Sequence, residues 1–298
     1  MTNDNSQRVA DEKENFDAST VRSFKCGNFT VEGFSRGPIL TYWRLLEYKI
    51  GFDLGWEPWS FTSITRYFIS HAHLDHSIGI PGSIARRGLL KLPNPTFYVP
   101  QEKAEDLRVA LDAVGNFSHC RLDCEIFGLA PGDEISIAKN LYVKAYKTRH
   151  TYKKCFDVPS LGYILWEKRS KLKDEFVGVP GEKLRELRAS GIELTEEAPH
   201  PLFAYLGDSA PQGLDDNPDM FRADCLVAEM TQLVKREDHP TMLNGHMGVY
   251  DYAARQDAFQ NKLIIAAHFS MRLSGQEIES VVDEVLPGRL DGRLKLVY

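Results

Sequence analysis

The chain has 298 residues, 43% of them hydrophobic and 11% aromatic, which is enough to bury a substantial core. Its formal net charge of -6 excludes a general attraction to polyanions, so an anionic partner must meet a local basic patch. No apolar run approaches the roughly 18 to 20 residues that span a bilayer, and the polar N-terminus lacks the apolar core of a secretion signal. The five cysteines are scattered and odd in number, which argues against a disulfide framework. We therefore expect a cytoplasmic protein with no membrane partner.

Residues 1–22 are polar and charged without apolar periodicity, and we expect a flexible leader there, ahead of a single domain over residues 23–298. Strand-like runs follow in the order FTVEGF, EYKIGFDLG, TRYFIS, TFYVP, LYVKAYKT, LGYILWE, PLFAYLGD, DCLVAEM and KLIIAAHF. Helical patterns lie among them in EKAEDLRVALDAV, GEKLRELRAS, VYDYAARQDAF and SGQEIESVVDEVL. This alternation predicts an α/β fold in which helices cover the faces of one or two sheets.

Four of the predicted strands end close to a side chain that can bind a metal. TRYFIS leads into His71, VKAYKTR into His150, FAYLG into Asp208 and LIIAA into His268. Because α/β folds build sites just past the carboxyl ends of buried strands, we expect these four side chains to converge.

The stretch SHAHLDH contains the densest group of these residues. His71 and His73 are two apart, so in an extended segment they project to the same side and can bind one ion. Asp75 and His76 follow where a helix is expected to begin, and they can face a second ion. The alternative is a solvated, histidine-rich loop. The apolar strand that leads into the motif and the three matching strand ends favour the metal site.

Eight motifs in this order resemble the ribonuclease Z branch of the metallo-β-lactamase superfamily, which processes the 3′ ends of tRNA precursors. They are FDLG, SHAHLDH, ARRGL, TRH with PSLGY, LGDS, AEMT, GHM and HFSMR. The stretch from KLKDEFVG to LRASGIELT is most similar to the short form known from plants. The resemblance implies an αββα sandwich, two sheets flanked by helices, with a dimetal site at one edge.

The resemblance also implies two zinc ions per subunit. His71, His73 and His150 would hold one ion; Asp75, His76 and His268 would hold the other; and Asp208 would bridge them. Imidazole nitrogens and carboxylate oxygens suit Zn²⁺, and the same ligands accommodate Mn²⁺ or Fe²⁺.

Two such ions activate water for attack on a phosphodiester. Asp75 would orient that water as well as bind its ion, and the tRNA would keep a 3′-hydroxyl. The leaving 3′-oxygen needs a proton, and His246 matches the family's proton donor, while Glu229 matches the carboxylate that pairs with it. A neighbouring carboxylate favours the protonated imidazole that a general acid requires.

Basic residues near these motifs are candidates for holding RNA phosphates. They are Arg86, Arg87, Lys147, Arg149, Lys153 and Arg272. The arginine pair after the metal-binding motif stands where the family contacts the acceptor stem. The resemblance further implies a homodimer, in which one subunit presents tRNA to the site of the other.

Several residues depart from the family pattern, and we expect them to line the substrate pocket. They are Ala228, Met230, Ser209, Met271 and Leu273. The segment Glu167 to Pro201 is also shorter than the tRNA-binding arm of bacterial members.

The sequence thus predicts a zinc-dependent endoribonuclease that removes the 3′ trailer of tRNA precursors. One alternative is a phosphodiesterase that acts on a cyclic nucleotide or another small diester. A hydrolase of esters, lactones or β-lactams would have little use for His246 and Glu229. A relative that only binds would have lost a metal ligand, and none is lost.

Overall fold

A computed structural model describes residues 21–152, 156–235, 237 and 245–298 of the chain. The strands are β1 (Arg22–Cys26), β2 (Phe29–Gly37), β3 (Leu40–Leu45), β4 (Ile50–Leu54), β5 (Arg66–Phe68), β6 (Thr96–Pro100), β7 (Glu125–Leu129), β8 (Glu134–Ala138), β9 (Leu141–Lys147), β10 (Thr151–Tyr152), β11 (Phe156–Asp157), β12 (Leu161–Leu172), β13 (Thr195–Tyr205), β14 (Cys225–Glu229), β15 (Leu263–Ala267), β16 (Phe269–Ser270) and β17 (Leu294–Leu296). The α-helices are α1 (Leu74–Ser77), α2 (Ile80–Leu89), α3 (Ala104–Ser118), α4 (Gly181–Ala189), α5 (Gln212–Asp215), α6 (Asp219–Arg222), α7 (Val249–Ala253) and α8 (Gly275–Val285). Short 3₁₀ turns occupy Trp59–Ser63, Gln101–Lys103, Asp174–Phe176 and Gln256–Ala258.

Two large sheets form the molecule. The first has the order β1-β2-β3-β4-β5-β6-β7, with β16 added beside β2. The second has the order β17-β15-β14-β13-β12-β9-β8. Strands β4 to β7 run parallel to one another, as do β13, β14, β15 and β17.

The alternation of side chains along the second sheet explains why it is buried on both faces. In β14, Cys225 and Val227 join the core between the sheets, whereas Leu226 and Ala228 join a second core under helices α5 to α8. Each residue of this five-residue strand is buried, as expected for a parallel strand covered on both sides. The layers therefore match the predicted sandwich of two sheets flanked by helices.

The segment from Glu167 to Pro201 forms a projecting ribbon. Strands β12 and β13 stay paired from Tyr163 opposite Tyr205 out to Leu172 opposite Thr195, and α4 lies in the connection between them. Pro180 directly precedes α4, where its missing N–H costs the helix nothing. The helix was expected from the sequence; the paired strands that carry it were not.

The described part of the chain begins in the first sheet. Strand β1 begins at Arg22, so one residue assigned to the leader joins the first sheet, and Val21 packs against the core. Residues 1–20 lie outside the described part of the chain. Within the described ranges, no helix combines the length and the apolarity needed to cross a bilayer.

Candidate metal centre

The strand ends meet at one edge of the sandwich, as expected. Beyond β5, the backbone of Ile69 donates to Tyr98, and that of Leu161 donates to Ser70, so the extended segment before His71 is held from both sheets. His73 then serves as the N-cap residue of α1. These contacts fix His71 and His73 with their ring centroids 4.6 Å apart.

Three groups of potential ligands result, and the first two supply the two predicted ion sites. The first contains His71, His73, His150 and Asp208, and the second contains Asp75, His76 and His268. The third overlaps both and contains Asp208, His246 and His268; within each group, the ligand atoms lie within 4.8 Å of one another. In the first group, His150 Nε2 lies 3.2 Å from His73 Nδ1. In the second, His268 Nε2 lies 3.3 Å from both Asp75 Oδ2 and His76 Nε2.

The carboxylate of Asp208 lies between the two groups. Its Oδ2 atom is 3.8 Å from His71 Nε2 and 3.4 Å from the Nε2 atoms of both His76 and His268. Asp208 is itself buried. The structure therefore brings all seven predicted ligands together, with Asp208 in the position of a bridge.

Four of the histidines are held through Nδ1, with Nε2 directed to the centre. The partners of Nδ1 are Ser70 Oγ for His71 (3.0 Å), Asp53 Oδ2 for His76 (2.7 Å), the Gly245 carbonyl for His150 (3.0 Å) and Thr231 Oγ1 for His268 (3.1 Å). An ion bound at the centre would take the Nε2 lone pair of each ring, with the proton held on Nδ1 by these partners. His71 Nε2 is buried without a hydrogen-bond partner among the described residues. This orphaned nitrogen and the nitrogen-rich donor set fit bound transition-metal ions such as zinc.

Asp53 stabilises the metal centre by accepting hydrogen bonds from His76 and from residues beside it. Its carboxylate accepts hydrogen bonds from the Ser70 backbone (2.6 Å), the Ser70 hydroxyl (2.7 Å), the Tyr205 hydroxyl (2.5 Å) and His76. The residue is fully buried and adopts a left-handed backbone, with φ of 53°. This strained turn is stabilised by the four hydrogen bonds, and it places the carboxylate directly behind His76.

His268 is positioned by a change of sheet. Strand β15 belongs to the second sheet and β16 to the first, and His268 turns the chain between them with φ of 61°. Its backbone N–H donates to Ser35 in the first sheet. A Cβ on Gly37 would lie 2.6 Å from the His268 ring, so a glycine is required where the ring passes.

Burial controls the charge of the ligands. It lowers the pKa of His71 and of His150, which keeps both imidazoles neutral and able to bind a metal. Burial alone would raise the pKa of Asp208, but His268 and His76 outweigh it and hold the pKa well below the usual value. Burial lowers the pKa of His76 too, but Asp208 and Asp53 outweigh it and raise the pKa well above the usual value. The centre therefore combines neutral imidazoles at His71 and His150 with a protonated imidazole at His76 and an ionised carboxylate at Asp208.

His246 and Glu229 form a second pair beside the ligand groups. His246 Nδ1 lies 3.0 Å from Glu229 Oε2, and the His246 ring lies 4.9 Å from that of His150. Burial lowers the pKa of His246, but Glu229 and then Asp208 outweigh it and raise the pKa to about 9. Glu229 is in turn fixed by hydrogen bonds from the Thr231 hydroxyl and from the backbone of Ser209, both 2.5 Å long.

The expectation that Arg87 contacts substrate is wrong. Arg87 is 2% exposed, and its guanidinium donates to the carbonyls of Thr62, Ile64 and Pro93. Both arginines lie inside α2, the helix that follows α1. Arg86 keeps a partly exposed side chain, and it pairs with the buried carboxylate of Glu57 at 2.8 Å.

The remaining substrate candidates differ in their surroundings. Lys147, Arg149 and Arg272 are exposed. Arg149 pairs with Asp216 at 2.8 Å. Lys153 lies outside the described residues.

Two of the departures from the family pattern, Ala228 and Met230, are 2% and 0% exposed and pack in the core beneath the helices. Ala228 also lines a small space beside His76, Asp208 and His268, so it lies next to the metal centre as expected. Met230 replaces core volume, so the expectation that it lines the substrate pocket is wrong. Met271 is exposed.

Sequence reasoning missed Asp53, Ser70, Thr231 and Tyr205 as parts of the site. Asp53 lies in the FDLG motif and Thr231 in AEMT, so the motifs pointed to the segments but gave no role to these side chains. Their contacts join residues that are far apart in sequence, such as Tyr205 and Asp53.

No protein-family model matches the chain. It is 33% identical over 279 residues to tRNase Z TRZ1 of Arabidopsis thaliana, covering 92% of this chain and 96% of the relative. Human tRNase Z short form (ELAC1) superposes with a TM-score of 0.54 at 20% identity, covering 80% of this chain and 92% of that one. The metallo-β-lactamase fold protein YhfI of Bacillus subtilis superposes with a TM-score of 0.56 at 12% identity, covering 89% and 93% of the two chains.

These likenesses agree with the geometry. The two solved structures confirm the predicted metallo-β-lactamase sandwich. The plant relative matches nearly the whole chain. The chain belongs to the tRNase Z (ribonuclease Z) family.

Proposed function

We propose that this protein is an endoribonuclease that removes the 3′ trailer of tRNA precursors, using two zinc ions per subunit. The proposal rests above all on the convergence of six ligands around a seventh, Asp208, in a chain that matches tRNase Z TRZ1 over 92% of its length. His71, His73 and His150 would hold one ion; Asp75, His76 and His268 would hold the other; and Asp208 would bridge them.

Divalent ions held by these residues would supply a water of lowered pKa and positive charge to offset that of a phosphodiester. Asp75 presents Oδ2 between His76 and His268, at 3.5 and 3.3 Å, where it can orient the attacking water. Burial raises the pKa of Asp75, but hydrogen bonds from His268 and His76 outweigh it and lower the pKa, so the carboxylate accepts and does not donate.

His246 supplies the proton that the departing 3′-oxygen needs. With a pKa raised to about 9, its imidazole is protonated at neutral pH, which is the state that a general acid requires. Glu229 holds Nδ1, so Nε2–H is the proton directed away from this pair. The tRNA would leave with a 3′-hydroxyl.

RNA would be held by local cations, since the chain as a whole carries a net charge of -6. Lys147, Arg149 and Arg272 are exposed cations beside the ligand-bearing segments, and Arg86 adds a partly exposed guanidinium near α1. We keep Lys153 as an expected contact from its place in the sequence. An RNA stem would be recognised by shape and phosphates, because its deep groove hides the bases.

A homodimer is also part of the proposal. Four large apolar side chains near α1 are exposed to solvent: Trp56, Trp59, Leu74 and Ile78. The Trp56 backbone lies directly against Gly79, the residue that follows Ile78, and we call these four side chains the α1 patch. An exposed patch of this kind favours an interface.

The thiols of Cys26, Cys120, Cys124 and Cys225 are free, which supports the expected cytoplasmic location.

The experiment that tests the function is cleavage of a 3′-extended tRNA precursor by the purified protein, with and without a chelator. We expect a cut just after the discriminator base, lost on metal removal and restored by Zn²⁺. A cut elsewhere, or one that survives chelation, would contradict the proposal. Hydrolysis of bis-p-nitrophenyl phosphate without cleavage of the precursor would instead favour the small-diester alternative.

A further inference from the structure

A cleft of about 380 Å³ opens next to the metal centre, where the carboxyl ends of β6, β7 and β9 meet. His150 forms part of its wall, so the cleft adjoins the first ligand group directly. Small-molecule sites span roughly 300 to 1,000 Å³, so a space at the lower end of that range holds one nucleotide-sized group and not a helical stem.

Apolar and polar residues share the walls of the cleft. The apolar part is formed by Pro100, Leu129, Pro131, Val158, Pro159 and Leu161. Three prolines with fixed φ hold the opening in shape before a ligand arrives. An apolar surface of this kind can pack against the flat ring of a base, while polar groups beside it fix the orientation of that base.

Four charged side chains also line the cleft: Glu102, Lys147, Arg149 and Asp157. All four are exposed. Arg149 pairs with Asp216 at 2.8 Å, whereas Glu102, Lys147 and Asp157 have no oppositely charged partner among the described residues, which leave out 153–155. Within that part of the chain, the cleft offers one unpaired cation and two unpaired carboxylates to a ligand.

We propose that this cleft binds the base of an unpaired nucleotide next to the scissile phosphodiester and selects bases that carry an exocyclic amino group. The inference rests on the proposed function. Ionised carboxylates only accept hydrogen bonds, so Glu102 and Asp157 favour adenine, cytosine or guanine, whose edges present N–H₂ donors. Uracil presents carbonyl oxygens at those positions and is disfavoured.

Lys147 has a different part. As a flexible point charge, it suits a phosphate oxygen, which carries no sequence information. The position of the cleft fits this division, because specific recognition of RNA uses unpaired bases whose edges are accessible. The stem is held by its phosphates elsewhere, while one nucleotide beside the cut is read in the cleft.

The test compares 3′-extended precursors that carry either adenosine or purine riboside, which lacks only the amino group, at each of the two nucleotides flanking the cut. For the wild type, we expect kcat/KM to fall about ten-fold with purine riboside at one of these positions, the usual value of one base-edge contact. In Asp157→Asn and Glu102→Gln, that ratio should move toward one. Lys147→Gln should lower kcat/KM equally for both precursors.

Two variants of the carboxylates are used so that a folding defect in one leaves the other to decide. Asp123→Asn is the matched control, since Asp123 precedes β7 at the opposite edge of the sheet and pairs with Arg121. It should keep the wild-type ratio. Two results would overturn this inference and leave the proposed function standing. One is a wild-type ratio of kcat/KM between the adenosine and purine riboside precursors near one at both positions. The other is a ratio that stays unchanged in both carboxylate variants. Hydrolysis of bis-p-nitrophenyl phosphate with no cleavage of any precursor would overturn the proposed function, and this inference with it.

Discussion

At the scale of single residues, Asp53 belongs to neither ligand group, yet it determines how His76 faces its partners. The carboxylate of Asp53 offers two acceptor oxygens to its donors. In Asp53→Asn, the side-chain amide offers only one acceptor oxygen to the same donors. We expect the affinity for the ion at Asp75, His76 and His268 to fall about 10- to 100-fold, as is usual when such a supporting contact is lost. Titration of the bound metal against a chelator would measure this.

The control for this prediction is Glu57→Gln. Glu57 is a buried carboxylate that accepts from Tyr67, Ser83 and Arg86. The variant should lose stability without a specific loss of metal affinity. Equal metal affinities for Asp53→Asn and the wild type would show that Asp53 serves the fold alone.

His246 can be separated from the metal ligands by the choice of leaving group. A ribose 3′-oxygen needs a proton as it departs, whereas p-nitrophenolate leaves without one. We therefore expect His246→Asn to lower kcat on a tRNA precursor by about 10² to 10⁴, the usual contribution of a general acid, and to reduce hydrolysis of bis-p-nitrophenyl phosphate far less. Parallel kinetics on both substrates give the answer, and equal losses on the two would remove His246 from the role of proton donor.

At the scale of elements, the first sheet approaches α1 so closely that only glycine fits at position 55. A Cβ there would lie 1.9 Å from the Asp75 carbonyl oxygen and 2.9 Å from the Thr41 backbone nitrogen. We expect Gly55→Ala to cost about 1 to 3 kcal/mol of unfolding free energy by overpacking and to weaken metal binding through Asp75. Denaturant unfolding and metal titration would measure the two effects.

Gly82→Ala is the matched control, since nothing lies within 4 Å of a Cβ at that position in α2. This change should stabilise the protein by about 0.5 to 1 kcal/mol, because alanine loses less entropy in a helix. If Gly55→Ala and Gly82→Ala had the same free energy of unfolding, the close approach at Gly55 would not affect stability.

Asp224 joins the starts of neighbouring strands at the edge opposite the metal centre. It accepts from Lys262 at 2.9 Å and lies 3.2 Å from His200. Burial raises the pKa of Asp224, but Lys262 and His200 outweigh it and lower the pKa. Because the pKa of Asp224 is lower in the folded state, its ionised carboxylate stabilises the fold at pH values above the unfolded-state pKa of about 3.9. This stabilisation is lost as the pH falls through the folded-state pKa.

We therefore expect Asp224→Asn to be less stable than the wild type by about 1 kcal/mol at pH 7, with the difference shrinking below about pH 4. Urea unfolding between pH 3 and 7 would follow it. Asp112→Asn, at an exposed position of α3, should match the wild type throughout. A difference for Asp224→Asn that stays constant with pH would rule out a contribution from its charge.

The sequence predicted those elements whose pattern is local. TFYVP is β6 residue for residue, and the helix expected in SGQEIESVVDEVL is α8, with Ser274 as its cap. The outer half of the β12–β13 ribbon was missed because its residues are charged and pair only with each other. Arg87 was misjudged because burial of a cation depends on three carbonyls that the fold brings together from distant segments.

At the scale of the whole molecule, the candidate site was easier to predict than the surface. Each ligand lies next to an apolar strand, so the sheet order alone brings His71, His150, Asp208 and His268 to one edge. Which cations remain free depends on side chains across the surface. Lys168, for example, lies in a basic run but pairs with Glu197 on the facing strand.

The α1 patch provides a prediction for the assembled protein. Leu74 and Ile78 lie one helical turn apart and are 68% and 57% exposed. Apolar surface in contact with water is unfavourable in free energy, and burial against a second copy of the chain would remove this cost. We expect the wild type to elute at twice 33.8 kDa in size-exclusion chromatography with light scattering, and Ile78→Glu to elute at 33.8 kDa. Val109→Glu, at an equally exposed apolar position on α3, should stay dimeric. A new charge destabilises a dimer only where it is buried on association. If Val109→Glu were monomeric and Ile78→Glu dimeric, the interface would therefore lie on α3 and not on the α1 patch.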